Sequence, residues 1–294
     1  MIRCVLIFLS SFALARAGAL VLQTDFGTKD GAVAEMKGIA VGVSPRLAIH
    51  DLSHENTPFD IGEAAYRLKQ AAPYWPVDTV FVSVIDPGVG TARKSVVVKA
   101  GNGQLFVGPD NGTWTLIAEE IGIAAVREID ETKHRRPGSE RSHTFHGRDV
   151  YAYVGAQLAA GALAFDDVGP ALPDVVRLPY EKARREGDTL VGAIPYLDFQ
   201  FGNVWTNLGE ELFAQLAPVA GERFRVTIAR GADVVFEGEL PYARTFGDVP
   251  EGAPLLYLNS LMNVAVALNQ GNFAQRHGVA CGAGWSIRIR KAKP

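Results

Sequence analysis

Three short segments place charged side chains beside glycine at the ends of apolar or helix-forming runs, positions that face a ligand crevice in α/β proteins. In Val84-Ile85-Asp86-Pro87-Gly88-Val89-Gly90-Thr91-Ala92-Arg93 an apolar run ends in a carboxylate, a Pro-Gly turn follows, and an arginine stands seven residues after the aspartate. An arginine beside a carboxylate keeps it ionised and orients it through paired hydrogen bonds. The plainer reading of Asp86 and Arg93 is an ion pair that braces a loop. The other two segments are Asp25-Phe26-Gly27-Thr28-Lys29-Asp30 and Phe145-His146-Gly147-Arg148-Asp149. Asp25 ends a short apolar run, where a carboxylate can hold two vicinal hydroxyls such as those of a ribose. Asp30, at the start of the next helical pattern, also suits a helix N-cap. His146 offers proton transfer near neutrality, whereas His134 and His143 read as structural histidines.

Further candidates are weaker one by one. His50-Asp51-Leu52-Ser53-His54 could suggest a metal site, but alternation along a strand keeps both histidines from joining Asp51 on one face. Only a turn would gather them, and the plainer reading is an exposed turn after a strand. In the second half, Asp198-Phe199-Gln200-Phe201-Gly202-Asn203 offers a carboxylate for an ammonium and an amide able to read a purine edge. Asn259-Ser260-Leu261-Met262-Asn263 adds short polar groups after another apolar run. Such residues are also ordinary turn formers. No G-x-G-x-x-G follows the first strand, so the dinucleotide fingerprint is absent.

The elements that must position these residues divide the chain in two. Residues 20–23, 47–51, 79–85 and 124–129 read as strands, and 95–100 with 104–107 as a hairpin around Gly101-Asn102-Gly103. Helical spacing covers 31–43, 60–72, 112–120 and 150–160, the second started near Thr57-Pro58. This alternation predicts an α/β, Rossmann-like N-terminal domain over 18–182 with a mostly parallel sheet. The charged stretch 177–188 reads as a domain junction that includes a surface segment. Beyond it short β runs at 190–195, 204–207, 224–229, 234–239, 255–258 and 285–289 predict a C-terminal β-barrel or sandwich over 183–294.

Bulk properties narrow the function. The chain has 294 residues, 48% hydrophobic and 21% charged, with a formal net charge of −3. That balance gives no electrostatic case for nucleic acid and favours a small-molecule substrate. Arg3, the apolar run 5–15 and the small-x-small Ala15-Arg16-Ala17 read as a signal peptide over 1–17. The run is short for a membrane span. The expectation is a periplasmic or secreted protein with no membrane attachment after cleavage, cytoplasmic if the start site is wrong. Of two cysteines, Cys4 falls in this leader, so the mature chain keeps Cys281 alone.

Six motifs in order carry a resemblance: Gln23-Thr24-Asp25-Phe26-Gly27, Asp86-Pro87-Gly88-Val89-Gly90-Thr91 with Arg93, Gly108-Pro109-Asp110-Asn111-Gly112, Thr144-Phe145-His146-Gly147-Arg148-Asp149, Phe201-Gly202-Asn203-Val204-Trp205-Thr206-Asn207, and Asn259-Ser260. Through them the chain resembles the S-adenosyl-L-methionine (SAM) hydroxide adenosyltransferases, or SAM hydrolases, relatives of the fluorinating and chlorinating SAM enzymes. The resemblance implies hydrolysis of SAM to adenosine and L-methionine by in-line attack of water or hydroxide on the ribose C5′. It implies a homotrimer, with SAM between domains of neighbouring subunits and needed as substrate only, without metal or other cofactor. Asp86, Arg93 and His146 would be the catalytic set. Asp25 would hold the ribose hydroxyls with Asp30 nearby, Phe59 would line the pocket, Asp198 would meet the methionine ammonium, Asn203 the adenine and Ser260 the methionine end. The fluorinating relatives carry a tyrosine where Asp86 stands, and a carboxylate there would repel halide. The alternatives are a halide adenosyltransferase, a non-catalytic periplasmic nucleoside-binding or adenosyl-binding protein, and a metal-dependent hydrolase using His50, His54, His143 or His146.

Overall fold

The computed structural model describes residues 18–293; the expected signal peptide over 1–17 lies outside them. Two compact units emerge. The first comprises residues up to 59 together with 74–176, and the second 60–73 together with 177 onward.

In the first unit, β1 (Ala19–Thr24) lies between β2 (Ala48–Ser53) and β3 (Val80–Val84), and both pairings are parallel. β3 is buried along its whole length, as a strand covered on both faces must be. Helix α1 (Ala32–Val43) buries Val33, Met36 and Ala40, the spacing that gave it away in the sequence. Beyond β3 the sheet changes character. β4 (Ser95–Ala100) and β5 (Leu105–Pro109) form the expected hairpin, and β5 pairs with β3 in parallel. β6 (Ile123–Glu128) and β7 (Ala171–Leu172) continue antiparallel, giving the order β2-β1-β3-β5-β4-β6-β7. The expectation of a mostly parallel sheet is thereby corrected to a mixed one. A turn as short as 101–103 can join only antiparallel neighbours, so the hairpin ends the parallel half.

Two helices in the first unit differ from expectation at their starts. The segment 112–120 turns helical only in α3 (Thr115–Glu120), after Gly112 at φ 107°. The helix expected at 150 begins earlier, as a stretch of π-helix over Gly147–Ala152 that follows His146 directly and runs into α4 (Tyr153–Ala159). α4 crosses the sheet closely: a Cβ on Gly155 would lie 2.4 Å from Val82 Cγ2.

The second unit contains helix α5 (Ile61–Ala71). Its start is Asp60, whose carboxylate accepts from the Glu63 amide at 2.8 Å, rather than Thr57-Pro58. The helix belongs here because Tyr66 packs on Tyr196 and Trp205, with ring centroids 4.3 and 6.2 Å apart. Two antiparallel sheets share one core that includes Leu190, Val204, Val226, Leu256, Val266 and Ile287, a sandwich. One holds β10 (Tyr196–Asp198), β11 (Asn203–Gly209), β15 (Asn263–Leu268) and β14 (Pro254–Leu258); the other β13 (Asp233–Pro241), β12 (Arg223–Arg230), β16 (Trp285–Lys291), β9 (Thr189–Ala193) and β8 (Arg184–Glu186). The charged stretch 177–188 therefore contains a short, exposed edge strand, β8, the form in which an edge resists further pairing.

Candidate active site

Asp86 leaves the end of β3, one residue after the fully buried Ile85. The turn that follows is closed by Val89 N–H to Asp86 O and Thr91 N–H to Gly88 O. Gly88 leaves room for the returning arginine, since a Cβ there would stand 3.1 Å from Arg93 Cγ. Arg93 Nε donates to both Asp86 oxygens at 2.9 and 3.1 Å, and Nη2 donates to Oδ2 at 2.6 Å. The two side chains are 10% and 6% exposed. Arg93 Nη2 also lies 2.9 Å from His146 Nδ1, and Nη1 donates to Ser95 Oγ at 3.1 Å.

This geometry fixes the imidazole. A guanidinium can only donate, so Nδ1 of His146 must present its lone pair, and the ring proton sits on Nε2. His146 is thus a neutral donor when the set is assembled. Burial pushes its pKa below the ordinary value; Glu131 opposes that shift, and Arg93 and Arg135 add to it. Burial works against the charge on Arg93, yet its hydrogen bonds to Asp86 hold its pKa above the ordinary value. Asp86 and His146 line a cavity of about 230 Å³ with Asp25, Phe26, Phe59 and Phe145.

Asp25 reaches that cavity from the end of β1. Its Oδ2 accepts from the Phe59 amide at 2.9 Å, and Phe59 stands at φ 69° as an exposed residue. A phenylalanine in the left-handed region is strained, and such strain concentrates at functional sites. Behind Asp25, the buried Thr24 and His54 lock the turn. His54 Nε2 meets Asp51 Oδ1 at 2.9 Å, and Nδ1 meets Thr24 Oγ1 at 2.9 Å. Asp51, held below the usual carboxylate range against the effect of burial by Lys37 and His54, accepts the Nε2 proton. Thr24 therefore donates to Nδ1 and accepts from the Phe26 amide.

His54 is buried, contrary to an exposed turn after the strand, and His50 turns away to pack on Trp75 at 5.1 Å. No group of three or more His, Cys, Asp or Glu side chains gathers for a metal among the described residues. His134 Nε2 lies 2.9 Å from the Asp167 carbonyl, and His143 is exposed. Asp30 is not brought to the cavity; its carboxylate accepts from the Ala32 amide at the start of α1.

The second unit carries its own cavity of about 930 Å³, lined by Asp198, Asn203, Phe246, Asn259 and Ser260 among others. Gly202, at φ 68°, makes the turn that sets Asn203; a Cβ there would fall 1.8 Å from the Asn272 side chain. Asn203 Nδ2 donates to Asp198 Oδ2 at 3.1 Å, while its buried Oδ1 has no partner. Asn259 Oδ1 accepts from the amides of Leu261 and Asn263, and its buried Nδ2 is likewise orphaned. An unpaired acceptor and an unpaired donor on one cavity are a cost that a polar heterocycle would relieve.

Sequence reasoning missed the groups behind Arg93. Ser95, Glu131 and Tyr151 come from separate elements, and only the position of Ser95, two residues beyond Arg93 on the strand, was a local signal. Phe246 also went unnoticed; nothing local marks it.

The comparisons with known proteins agree with this layout. Residues 20–169 match the SAM hydroxide adenosyltransferase N-terminal domain, and residues 192–286 the SAM hydroxide adenosyltransferase C-terminal domain. The (R)-S-adenosyl-L-methionine hydrolase of Salinispora tropica is 38% identical over 262 residues, 88% of this chain and 93% of the relative. The protein of the same name from Thermus thermophilus is 37% identical over 263 residues, 87% and 94% of the two chains. A fluorinase of an Actinoplanes species is 30% identical over 299 residues, 93% of this chain and 97% of that one. Among solved structures, an uncharacterized conserved protein from Thermotoga maritima superposes with a TM-score of 0.86 at 36% identity, covering 92% of this chain and 100% of its own. Family models spanning both units, and relatives of this identity along most of the chain, show that the protein belongs to the SAM hydroxide adenosyltransferase family.

Proposed function

We propose that this protein hydrolyses SAM to adenosine and L-methionine. The observation that carries the reading is the hydrogen-bonded Asp86–Arg93–His146 set on a cavity shared with Asp25. The sulfonium makes the leaving group a neutral thioether, so sulfur needs no general acid. Water attacks C5′, the C5′–S electron pair departs to sulfur, and one water proton is released. The work left to the protein is placement and charge control.

Asp86 accepts a hydrogen bond and then the proton from the water, with both its oxygens oriented by Arg93. His146 donates from Nε2 to the water oxygen and so fixes its lone pair toward C5′. Asp25 holds the ribose hydroxyls and Phe59 covers the ligand. Asp198 meets the methionine ammonium, Asn203 supplies its orphaned acceptor to the adenine amine, and Ser260 reaches the methionine end; Asp30 stays outside this set, its carboxylate accepting from the Ala32 amide. SAM is the substrate and no cofactor takes part. The family likeness supports a homotrimer with SAM between domains of neighbouring subunits, and the leader over 1–17 supports export to the periplasm or beyond. Light scattering and the N-terminal residue of the exported protein, expected to be Gly18, test these two points.

The deciding experiment incubates residues 18–294 with SAM, with and without chelator, and separates the products. Adenosine and methionine in equal amounts, unaffected by chelator and lost in Asp86→Ala, are the expected result. Intact SAM with folded protein would overturn the reading in favour of adenosyl binding without turnover. Adenosine formation abolished by chelator and restored by metal would move it to a metal-dependent hydrolase.

A further inference from the structure

We propose that Glu131 is a positioning residue for this reaction, the final acceptor that orders Ser95, Arg93 and, through Arg93, His146. The proposal rests on the hydrolase reading and goes beyond the Asp-Arg-His set. Glu131 sits at the start of the short helix Glu131–His134. Ser95 Oγ lies 2.8 Å from Glu131 Oε1, 3.1 Å from Arg93 Nη1 and 3.1 Å from the Tyr151 hydroxyl. A serine hydroxyl has one proton and two lone pairs. A carboxylate cannot donate, so the Ser95 proton must go to Glu131. Both lone pairs are then left for Arg93 and Tyr151, and Tyr151 must be the donor of its pair. Tyr151 is fully buried, and burial holds its hydroxyl protonated. Every hydrogen in the cluster therefore points one way, toward Oε1.

The other oxygen governs the approach to His146. Arg135 Nη1 donates to Glu131 Oε2 at 3.1 Å. The same guanidinium donates to the carbonyls of Ser139 and Ser142, in the segment that leads to His146. One carboxylate thus fixes both partners of the Arg93–His146 bond, Arg93 from below through Ser95 and His146 along its chain through Arg135. A carboxamide at 131 has a single acceptor oxygen for two converging donors, so one donor must face an amide N–H.

The charge matters as well as the shape. The groups facing His146 are Arg93 and Asp86 from the segment joining β3 to β4, Glu131 and Arg135 from the 131–135 segment, and the Tyr151 ring at 6.4 Å. Burial lowers the His146 pKa, and Glu131 is the leading charge opposing that shift. Burial would raise the Glu131 pKa, yet hydrogen bonds from Ser95 and Arg135 hold it below the usual carboxylate range. Without Glu131, His146 faces burial and two arginines with only Asp86 in opposition.

Two measurements on wild type, Glu131→Gln, Glu131→Asp and Ser95→Ala test this. The first is an imidazole NMR titration of the ligand-free protein, with His146 identified by its loss in His146→Gln. The second is kcat and KM for adenosine release. Glu131→Gln is expected to move the His146 titration to lower pH and to reduce kcat by roughly ten- to a hundredfold, the scale of a misplaced catalytic group. KM should stay within about twofold, because no group that binds the ground state is touched. Glu131→Asp should keep the wild-type His146 titration with a reduced kcat, and Ser95→Ala should lower kcat with the titration nearly unmoved. A folded Glu131→Gln protein with unchanged titration and unchanged kcat would overturn the proposal. If the wild type releases no adenosine, the hydrolase reading fails, and the titration alone decides whether Glu131 acts on His146. If Glu131→Gln does not fold, Ser95→Ala and Glu131→Asp carry the test.

Discussion

Removing both partners of the Asp86–Arg93 pair should cost clearly less than the sum of removing each alone. Arg93→Ala leaves a carboxylate that is 6% exposed without any of the three hydrogen bonds it received. Asp86→Ala leaves a guanidinium that is 10% exposed, with only Ser95 and His146 as partners. An uncompensated buried charge destabilises by about 3–5 kcal/mol. The double substitution leaves neither charge stranded, so the two costs overlap by roughly 2–3 kcal/mol, near the top of measured coupling energies. Urea unfolding at one fixed protein concentration reads this directly. With a slope of about 2–3 kcal/mol per molar, each single variant should lose on the order of 1–2 M in its midpoint. The double variant should lose clearly less than the two single losses added together. Adenosine release should fall to a similar residual level in all three, because residues that act as a unit lose function together. Strict additivity, within about 0.5 kcal/mol, would show that the pair is not the coupled unit its geometry describes.

Further outcomes follow from other parts of the structure. Because burial depresses the His146 pKa in the folded protein, the unfolded chain takes up that proton first as pH falls. The contribution is present above the unfolded value of about 6.5 and is lost as pH falls from there through the lower folded value; urea midpoints measured across this range should lose that slope in His146→Gln. Activity should drop over the same acid limb, since protonated Nδ1 cannot accept from Arg93. Two glycines give opposite signs. Gly108→Ala would place a Cβ 2.2 Å from the Ser83 carbonyl and should cost about 1–3 kcal/mol. Gly42→Ala, with open space around its helical position, should gain about 0.5–1 kcal/mol, both read as shifts in thermal midpoint. Phe59→Gly should relieve the φ 69° strain and leave the protein no less stable, while the lost ring raises KM for SAM about two- to tenfold; an unchanged KM would remove Phe59 from the binding surface.

The sequence was most legible where local chemistry and period agree. β1, β3 and the 95–107 hairpin appear where apolar runs and the Gly-Asn-Gly turn put them. Asp86, Arg93 and His146 were legible because glycine turns mark the ends of these elements. β15 was missed because Asn-Val-Ala-Val-Ala-Leu, buried at every position, shows no alternation, and its small residues dilute the apolar signal. The helix 61–71 looked like one more α/β crossover; its allegiance to the second unit depends on rings at 196 and 205, far along the chain. Glu131 was invisible for the same reason. It follows a residue, Asp130, that already explains the helix start as a cap, so nothing local called for a second role.

The closeness of the two carboxylates on the first cavity is a matter of sheet register. β1 and β3 are parallel neighbours with Thr24 opposite Val84 and Gln23 opposite Ser83. Chains that leave adjacent parallel strands at matched positions emerge at the same edge, so Asp25 and Asp86 reach one crevice although they lie far apart in sequence. The register is itself fixed by a buried polar pair, Ser83 Oγ donating to Gln23 Oε1 at 2.8 Å, while on the other side of β3 Asn111 Nδ2 donates to the Ile85 carbonyl at 2.9 Å. A slip of one residue would turn Leu20 and Leu22 out of the core and strand the Gln23 amide among apolar groups, so it is excluded by more than any single contact. The Gln23-Thr24-Asp25 and Gly108-Pro109-Asp110-Asn111 motifs thus have a shared physical purpose. Gln23 and Asn111 pin β3 from either side, and the distance between Asp25 and Asp86 on the first cavity is set by backbone pairing rather than by the flexible loops that follow.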